Sequence, residues 1–205
     1  MKYKLNEHIF DEWNERSAYL LGYLFADACI YRGSGNRYEI IISGTRLETL
    51  EIVKEILEAE HPIRTKGPKC YQLRIGSKIL VETLESLGLT ENKTVNLTYP
   101  PIPREVERHF IRGYFDGKGS FMIERNRRIV SNFSGACYEF MESLRDRLVL
   151  YGLNRANIHQ YGEGDASNQI RYYVRDTRRL YELLYQGASI YSRTQRARYE
   201  RGYRI

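Results

Sequence analysis

Two charged residues stand near the ends of helix-compatible stretches, and they are the side chains best placed to do chemistry. Asp27 ends the run Ser-Ala-Tyr-Leu-Leu-Gly-Tyr-Leu-Phe-Ala-Asp-Ala of residues 17–28, in which nothing before it is charged. Lys118 stands near the end of a second helix-compatible run, residues 108–120, with Asp116 two positions earlier. A carboxylate is a hard oxygen donor of the kind Mg2+ takes, and that ion needs only one or two of them when water and a substrate phosphate complete its shell. Such a centre suits phosphodiester hydrolysis, where a divalent ion activates water and neutralises the charge gathering at phosphorus. An ammonium cannot ligate a cation. Lys118 therefore opposes a metal beside it, and Asp116 or Glu124 is the acid able to stand in.

The elements that position these residues recur. Gly22 lies 91 residues before Gly113, and Ser43-Gly44 lies 91 before Ser134-Gly135, so Asp27 and Lys118 fall at equivalent places. A shift that persists over such a distance is the mark of a duplicated unit. In the first copy a hairpin turns around Gly33-Ser34-Gly35-Asn36, a helix covers residues 45–60, a second hairpin turns at Lys66-Gly67-Pro68-Lys69, and a helix ends at Gly88. The second copy repeats the order, with a longer second hairpin and a helix ended by Gly187. Prolines introduce the second apolar helix within the linker. The fold class expected is α+β, two αββαββα units related by pseudo-two-fold symmetry, each contributing an antiparallel sheet. Residues 1–99 form the first repeat with its linker, and 100–205 the second with a basic tail. A duplicated unit supplies the symmetry that a dimer would, so a monomer is expected.

Alternation in the strands separates a buried face from a polar one. Around residues 71–76, Tyr71, Leu73 and Ile75 alternate with Gln72 and Arg74; around 170–175, Ile170, Tyr172 and Val174 alternate with Arg171, Tyr173 and Arg175. The hairpins add Arg32, Asn36, Arg37, Arg64, Lys66, Lys69, Arg125, Asn126, Arg127, Arg128, His159 and Tyr161. A two-stranded ribbon fits the major groove of DNA, where Arg pairs with guanine and Gln or Asn with adenine while other cations hold phosphates.

Composition agrees. The 205-residue chain is 42% hydrophobic and carries a formal charge of +6, with 19 Lys and Arg against 12 Asp and Glu beyond residue 100. A polyanionic partner follows, bound with steep salt dependence. Cys29, Cys70 and Cys137 lack the paired spacing of a zinc site or a disulfide framework, which suits an intracellular setting, the cytoplasm of a prokaryote or an organelle matrix. Charges interrupt the first twenty residues, and no apolar run approaches membrane length, so neither export nor membrane association is expected. Gly-rich nucleotide loops, nucleophile elbows and His-based metal motifs are also missing from the sequence.

Leu20-Leu21-Gly22-Tyr23-Leu24-Phe25-Ala26-Asp27-Ala28 and Ile111-Arg112-Gly113-Tyr114-Phe115-Asp116-Gly117-Lys118-Gly119 together resemble the LAGLIDADG homing endonucleases of the single-chain, two-motif type. The resemblance covers nearly the whole chain. It implies two helices packed through small residues at the centre of a DNA-binding saddle, Gly at the third motif position and a metal-binding carboxylate at the eighth. Asp27 matches that position and Lys118 departs from it. The resemblance further implies Mg2+ as cofactor, with Mn2+ or Ca2+ able to substitute in binding, and a basic residue near each centre, for which Lys78 and Arg175 or Arg178 stand at the comparable junctions. The implied function is site-specific hydrolysis of a long duplex, serving intron or intein mobility, with one centre nicking or silent because of Lys118. A catalytically silent DNA-binding regulator, or an intron RNA maturase, is the alternative on the same fold. The tail of residues 192–205, with five arginines, is then an arm for the DNA backbone, disordered or helical.

Overall fold

The computed structural model describes residues 3–91, 93, 96–125, 127–162 and 167–203. Asn126 lies outside them. Helix α1, Glu15–Asp27, starts where the Asn14 side chain accepts the backbone N–H groups of Arg16 and Ser17 while Ser17 Oγ accepts that of Asn14, a reciprocal cap. It runs into β1 (Ala28–Gly33), β2 (Arg37–Gly44), α2 (Leu47–Ile56), β3 (Ile63–Thr65), β4 (Tyr71–Gly76) and α3 (Lys78–Ser86). The second half gives α4 (Arg104–Lys118), β5 (Gly119–Ile123), β6 (Ile129–Gly135), α5 (Tyr138–Leu150), β7 (Ile158–Tyr161), β8 (Ser167–Tyr172) and α6 (Val174–Tyr185). A further helix, α7 (Arg193–Tyr203), has no counterpart in the first half.

Each half folds its strands into a four-stranded antiparallel sheet of the same order, β1-β2-β4-β3 and β5-β6-β8-β7. Ile40, Ile42, Leu73 and Ile75 turn one face of the first sheet into the core, as Phe121, Phe133, Ile170 and Tyr172 do in the second. The other face of each sheet carries mostly polar side chains, with Ile41, Met122 and Val130 among its apolar ones. Strand β8 stops at Tyr172, so Tyr173 becomes the N-cap of α6, and Val174 and Arg175 belong to that helix rather than to an alternating strand.

The halves meet through α1 and α4. A Cβ on Gly22 would lie 1.9 Å from the Phe110 carbonyl oxygen, and one on Gly113 would lie 2.0 Å from that of Tyr19, so the backbones touch. Phe110 and Tyr19 are themselves related by the 91-residue shift, and the crossing is therefore pseudo-symmetric. One turn further on, a Cβ at Gly117 would meet the Cβ of Ala26 at 2.4 Å.

Helix α4 also carries buried polar groups. Arg112, 1% exposed, donates to Glu15 Oε1 at 2.6 Å, to the Ile190 carbonyl at 2.7 Å and to that of Leu184 at 3.1 Å. Asp116 accepts from Tyr185 Oη and the Ser192 backbone N–H, both at 2.6 Å, and from Tyr19 Oη at 2.9 Å. The segment leading into α7 is tied to the first half as well. Ser189 donates from N and Oγ to Glu15, and Ser192 Oγ and the Thr194 N–H donate to Glu48 Oε1.

Candidate functional site

Helices α1 and α4 end side by side, which brings Asp27 Oδ1 within 3.3 Å of Lys118 Nζ. The Asp27 side chain is 13% exposed and that of Lys118 45%, so the pair sits at the mouth of the seam. Two further cations finish the helix ends. Arg46, between β2 and α2, donates to the Asp116 carbonyl in the last turn of α4, and Lys93 in the linker donates to the Ala26 carbonyl of α1 at 2.8 Å. Both satisfy orphan carbonyls at the negative ends of helix dipoles. Burial lowers the Lys93 ammonium to about 8, against the pull of Cys29 and Asp27 and with the repulsion of Lys118.

Four charged residues expected near this centre are elsewhere. Asp116 is fully buried, its oxygens taken by Tyr185, Ser192 and Tyr19, and burial holds its carboxyl above the usual range despite those bonds. It faces the interior and is not open to a metal. Lys78 and Arg175 sit in the first turns of α3 and α6. Leu73 is level with Ile42 and Ala28, next to Asp27, and the chain then runs five residues further before reaching Lys78. At about 3.3 Å per strand residue, that carries it well away from the helix ends. Lys78 instead faces Glu82 at 3.6 Å and the Tyr38 ring. Glu124 accepts from Arg171 at 2.6 Å on the sheet and leaves Asp27 as the carboxylate beside the seam. Among the described residues no group of three or more His, Cys, Asp or Glu comes together as a metal site. Asp27 alone fits an ion that draws its remaining ligands from water and substrate.

The outward sheet faces bear most of the expected recognition residues. Gln72 and Arg74 stand across from Ser43 and Ile41, and Arg64 across from Gln72. Arg37 Nε and Nη2 donate to Glu39 Oε1 at 3.1 and 2.9 Å. His159 faces Gln169, Tyr161 faces Ser167, and Arg171 faces Asn132 and lies over the Tyr173 ring. Asn36, Lys66 and Lys69 are exposed in the turns of the first half, as are Arg125, Arg127 and Arg128 in the β5–β6 turn. Arg32 is the exception. Tyr31 and Gly33 share the outward face with Glu39 and Arg37, which puts Arg32 on the helix side, where it is held by Glu85 of α3 and stacks over Tyr38. Helix α7 is likewise not a free arm: Gln195 donates to the Gly119 carbonyl at 2.6 Å, and Tyr199 is buried against Phe121 and Tyr181 on the core side of β5.

Two residues of the site carry no signal along the chain. Arg46 and Lys93 come from connecting segments, and neither has a basic partner at the repeat shift. Gln169 did carry one, because Gln-Leu-Arg in β4 is answered by Gln-Ile-Arg in β8.

Solved structures with this architecture are I-DmoI in complex with DNA and Mn (TM-score 0.59, 19% identity, 84% of this chain and 97% of that one) and the homing endonuclease I-WcaI bound to its DNA recognition sequence (0.63, 12%, 93% and 89%). The meganuclease I-SmaMI, bound to uncleaveable DNA, is similar at 0.57 and 12%, over 84% and 85%. The fold is that of the single-chain LAGLIDADG homing endonucleases. I-DmoI was also solved with DNA and Ca, and a single-substitution variant of it with its target DNA in the presence of Mg. No family model matches the sequence. The chain is 28% identical over 171 residues to the probable translation initiation factor IF-2 of Methanocaldococcus jannaschii, a match that takes in 80% of this chain but only 14% of that protein. Among the described residues no helix is long and apolar enough to cross a membrane.

Proposed function

We propose that this chain is a site-specific DNA endonuclease of the homing type that works as a monomer with internal pseudo-symmetry, and that it nicks one strand of a duplex. The observation that carries this reading is the Asp27–Lys118 pair, one carboxylate and one ammonium where two pseudo-symmetric helix ends meet. DNA as the partner is supported by the basic outward faces of the two sheets and by neighbours solved on DNA. Residues 1–99 and 100–205 act as the two half-site modules.

Asp27 would hold a divalent ion, Mg2+ in the cell, which when bound supplies an activated water and charge neutralisation at phosphorus. The chain's own residues do the rest. Lys118 pairs with Asp27 until a scissile phosphate arrives, then turns its ammonium to the phosphate's negative charge. Arg46 and Lys93 fix the carbonyls of the last helical turns, so the two ends hold their spacing.

The test is digestion of a supercoiled plasmid bearing a selected target, with Mg2+. Nicked circles from the natural protein, no product from Asp27→Asn, and linear product gained by Lys118→Asp are expected. Linear product from the natural protein would overturn the disabled centre. Tight binding with no cut at all would leave a DNA-binding regulator in its place.

A further inference from the structure

One pair of side chains recurs on the outward face of both sheets. Gln72 faces Ser43 and Arg74 faces Ile41 in the first; Gln169 faces Ser134 and Arg171 faces Asn132 in the second. Ser43 and Ser134, like Ile41 and Asn132, are related by the 91-residue shift, so the two Gln-x-Arg pairs hold equivalent places in the two halves. The residue between them, Leu73 or Ile170, is fully buried and explains its own retention by packing. Packing does not explain the outward Gln and Arg, because their surroundings have diverged: Glu39 is answered by Val130, and Ile41 by Asn132.

Each guanidinium nevertheless has a carboxylate within ion-pair distance, and from unrelated positions. Glu39 on β2 lies 3.8 Å from Arg74 Nη1, while Arg74 Nε donates to Gln72 Oε1 at 2.8 Å and Gln72 Nε2 to Ser43 Oγ at 3.1 Å. Glu124, just beyond β5, accepts from Arg171 Nη2 at 2.6 Å. The arginine of each pair thus lies on the outward face with an acid beside it, hydrogen-bonded by Glu124 in the second half and by Gln72, with Glu39 nearby, in the first. Hydrogen bonding from Gln72 or Glu124, with a negative charge close by, restricts a fork whose geometry matches the N7 and O6 of guanine, and glutamine matches the N6 and N7 of adenine.

We propose that Gln72 with Arg74, and Gln169 with Arg171, read the same two base pairs on either side of the target's centre, with Glu39 and Glu124 as positioning residues for the two arginines. The target then carries an adenine and a guanine in inverted repeat, within an otherwise asymmetric sequence. Two residues along a strand span about 6.6 Å, so the two bases lie within about two steps of B-DNA. This inference rests on the DNA reading of the sheet faces given above.

The experiment is selection of bound duplexes from a randomised library by the full chain without divalent ion, followed by affinity measurements on the enriched site. An adenine and a guanine at equal distances from the centre in both halves are expected. Arg74→Ala should lose its guanine preference, on the order of 10- to 100-fold, in one half-site only, and Arg171→Ala in the other. Glu39→Gln should weaken discrimination at the Arg74 guanine while binding to random duplex stays equal or rises, a split that a merely structural role would not give. Enriched sites without the inverted match, or both arginine variants acting on one half, would overturn the proposal. Salt-dependent duplex binding with no enriched sequence would overturn it alone, whereas no duplex binding would overturn the DNA reading with it.

Discussion

At Asp27 a single oxygen faces an ammonium 3.3 Å away. The pair is half open to solvent on the lysine side, so its strength is modest, and a divalent ion held by Asp27, as proposed, would compete with Lys118 for the same carboxylate. Lys118→Met should therefore bind Mn2+ several-fold more tightly than the natural protein in a spectroscopic titration without DNA. Unchanged affinity would mean that the lysine swings away at no cost and does not guard the site. How much of this centre the sequence discloses follows from how each residue reaches it. Asp27 and Lys118 stand on the duplicated helices, and the repeat shift alone pairs them. Arg46 and Lys93 arrive on connections from 70 and 67 residues away along the chain, where no periodicity applies. Lys78 and Arg175 were placed near the centre by their junctions, but strand length takes them to the far end of the sheets.

At the scale of elements, the seam between α1 and α4 tolerates nothing larger than glycine at its two closest points. A methyl at either position would sit about 2 Å from a main-chain oxygen, which cannot retreat without moving its helix. Gly22→Ala or Gly113→Ala is expected to cost on the order of 3 kcal/mol or more in urea unfolding, at the upper end of what overpacking does. Gly152→Ala is a control for crowding, since nothing lies near its Cβ, although its positive φ adds backbone strain of its own. A loss at Gly22 no larger than at Gly152 would show that the helices part easily. The small residues were visible in the sequence as spacing, and the resemblance implied that the two helices pack through them; the closest approaches, at Gly22 and Gly113, depend on both helices at once. The strand readings depart from the structure at two places, one of them Val174 and Arg175, which open α6 instead of continuing β8. Arg32 has the composition of a recognition residue, yet β1 begins at Ala28 with a core-facing side chain, and every even position after it follows to the helix side.

Across the whole molecule, the C-terminal segment holds the first half by two carboxylates. Burial would raise both, but hydrogen bonds from Ser189 and Ile190 and the charge of Arg112 bring Glu15 below the ordinary value of 4.5, and Thr194, Ser192 and Arg46 do the same for Glu48. A carboxyl depressed in the folded state lends stability that is present above its unfolded value and lost as pH falls through the folded one. Asp116, raised by burial, acts in the opposite sense: its contribution is present below its unfolded value and lost as pH rises through the folded one. The variant carrying Glu15→Gln and Glu48→Gln should be less stable than the natural protein at pH 7 and should lose less between about pH 5 and pH 3, measured as the shift of the urea midpoint. Equal slopes would show that these carboxylates do not hold the strap.

That strap also sets the rules for recombining the halves. Ser189, Ser192 and Thr194 belong by sequence to the second repeat, yet their partners Glu15 and Glu48 lie in the first. A chimera joined in the linker to gain a new half-site would inherit a tail fitted to a helix it no longer meets. The natural unit of exchange is therefore the first repeat together with residues 189–194, and hybrids that graft both should outlast those that cut at the midpoint.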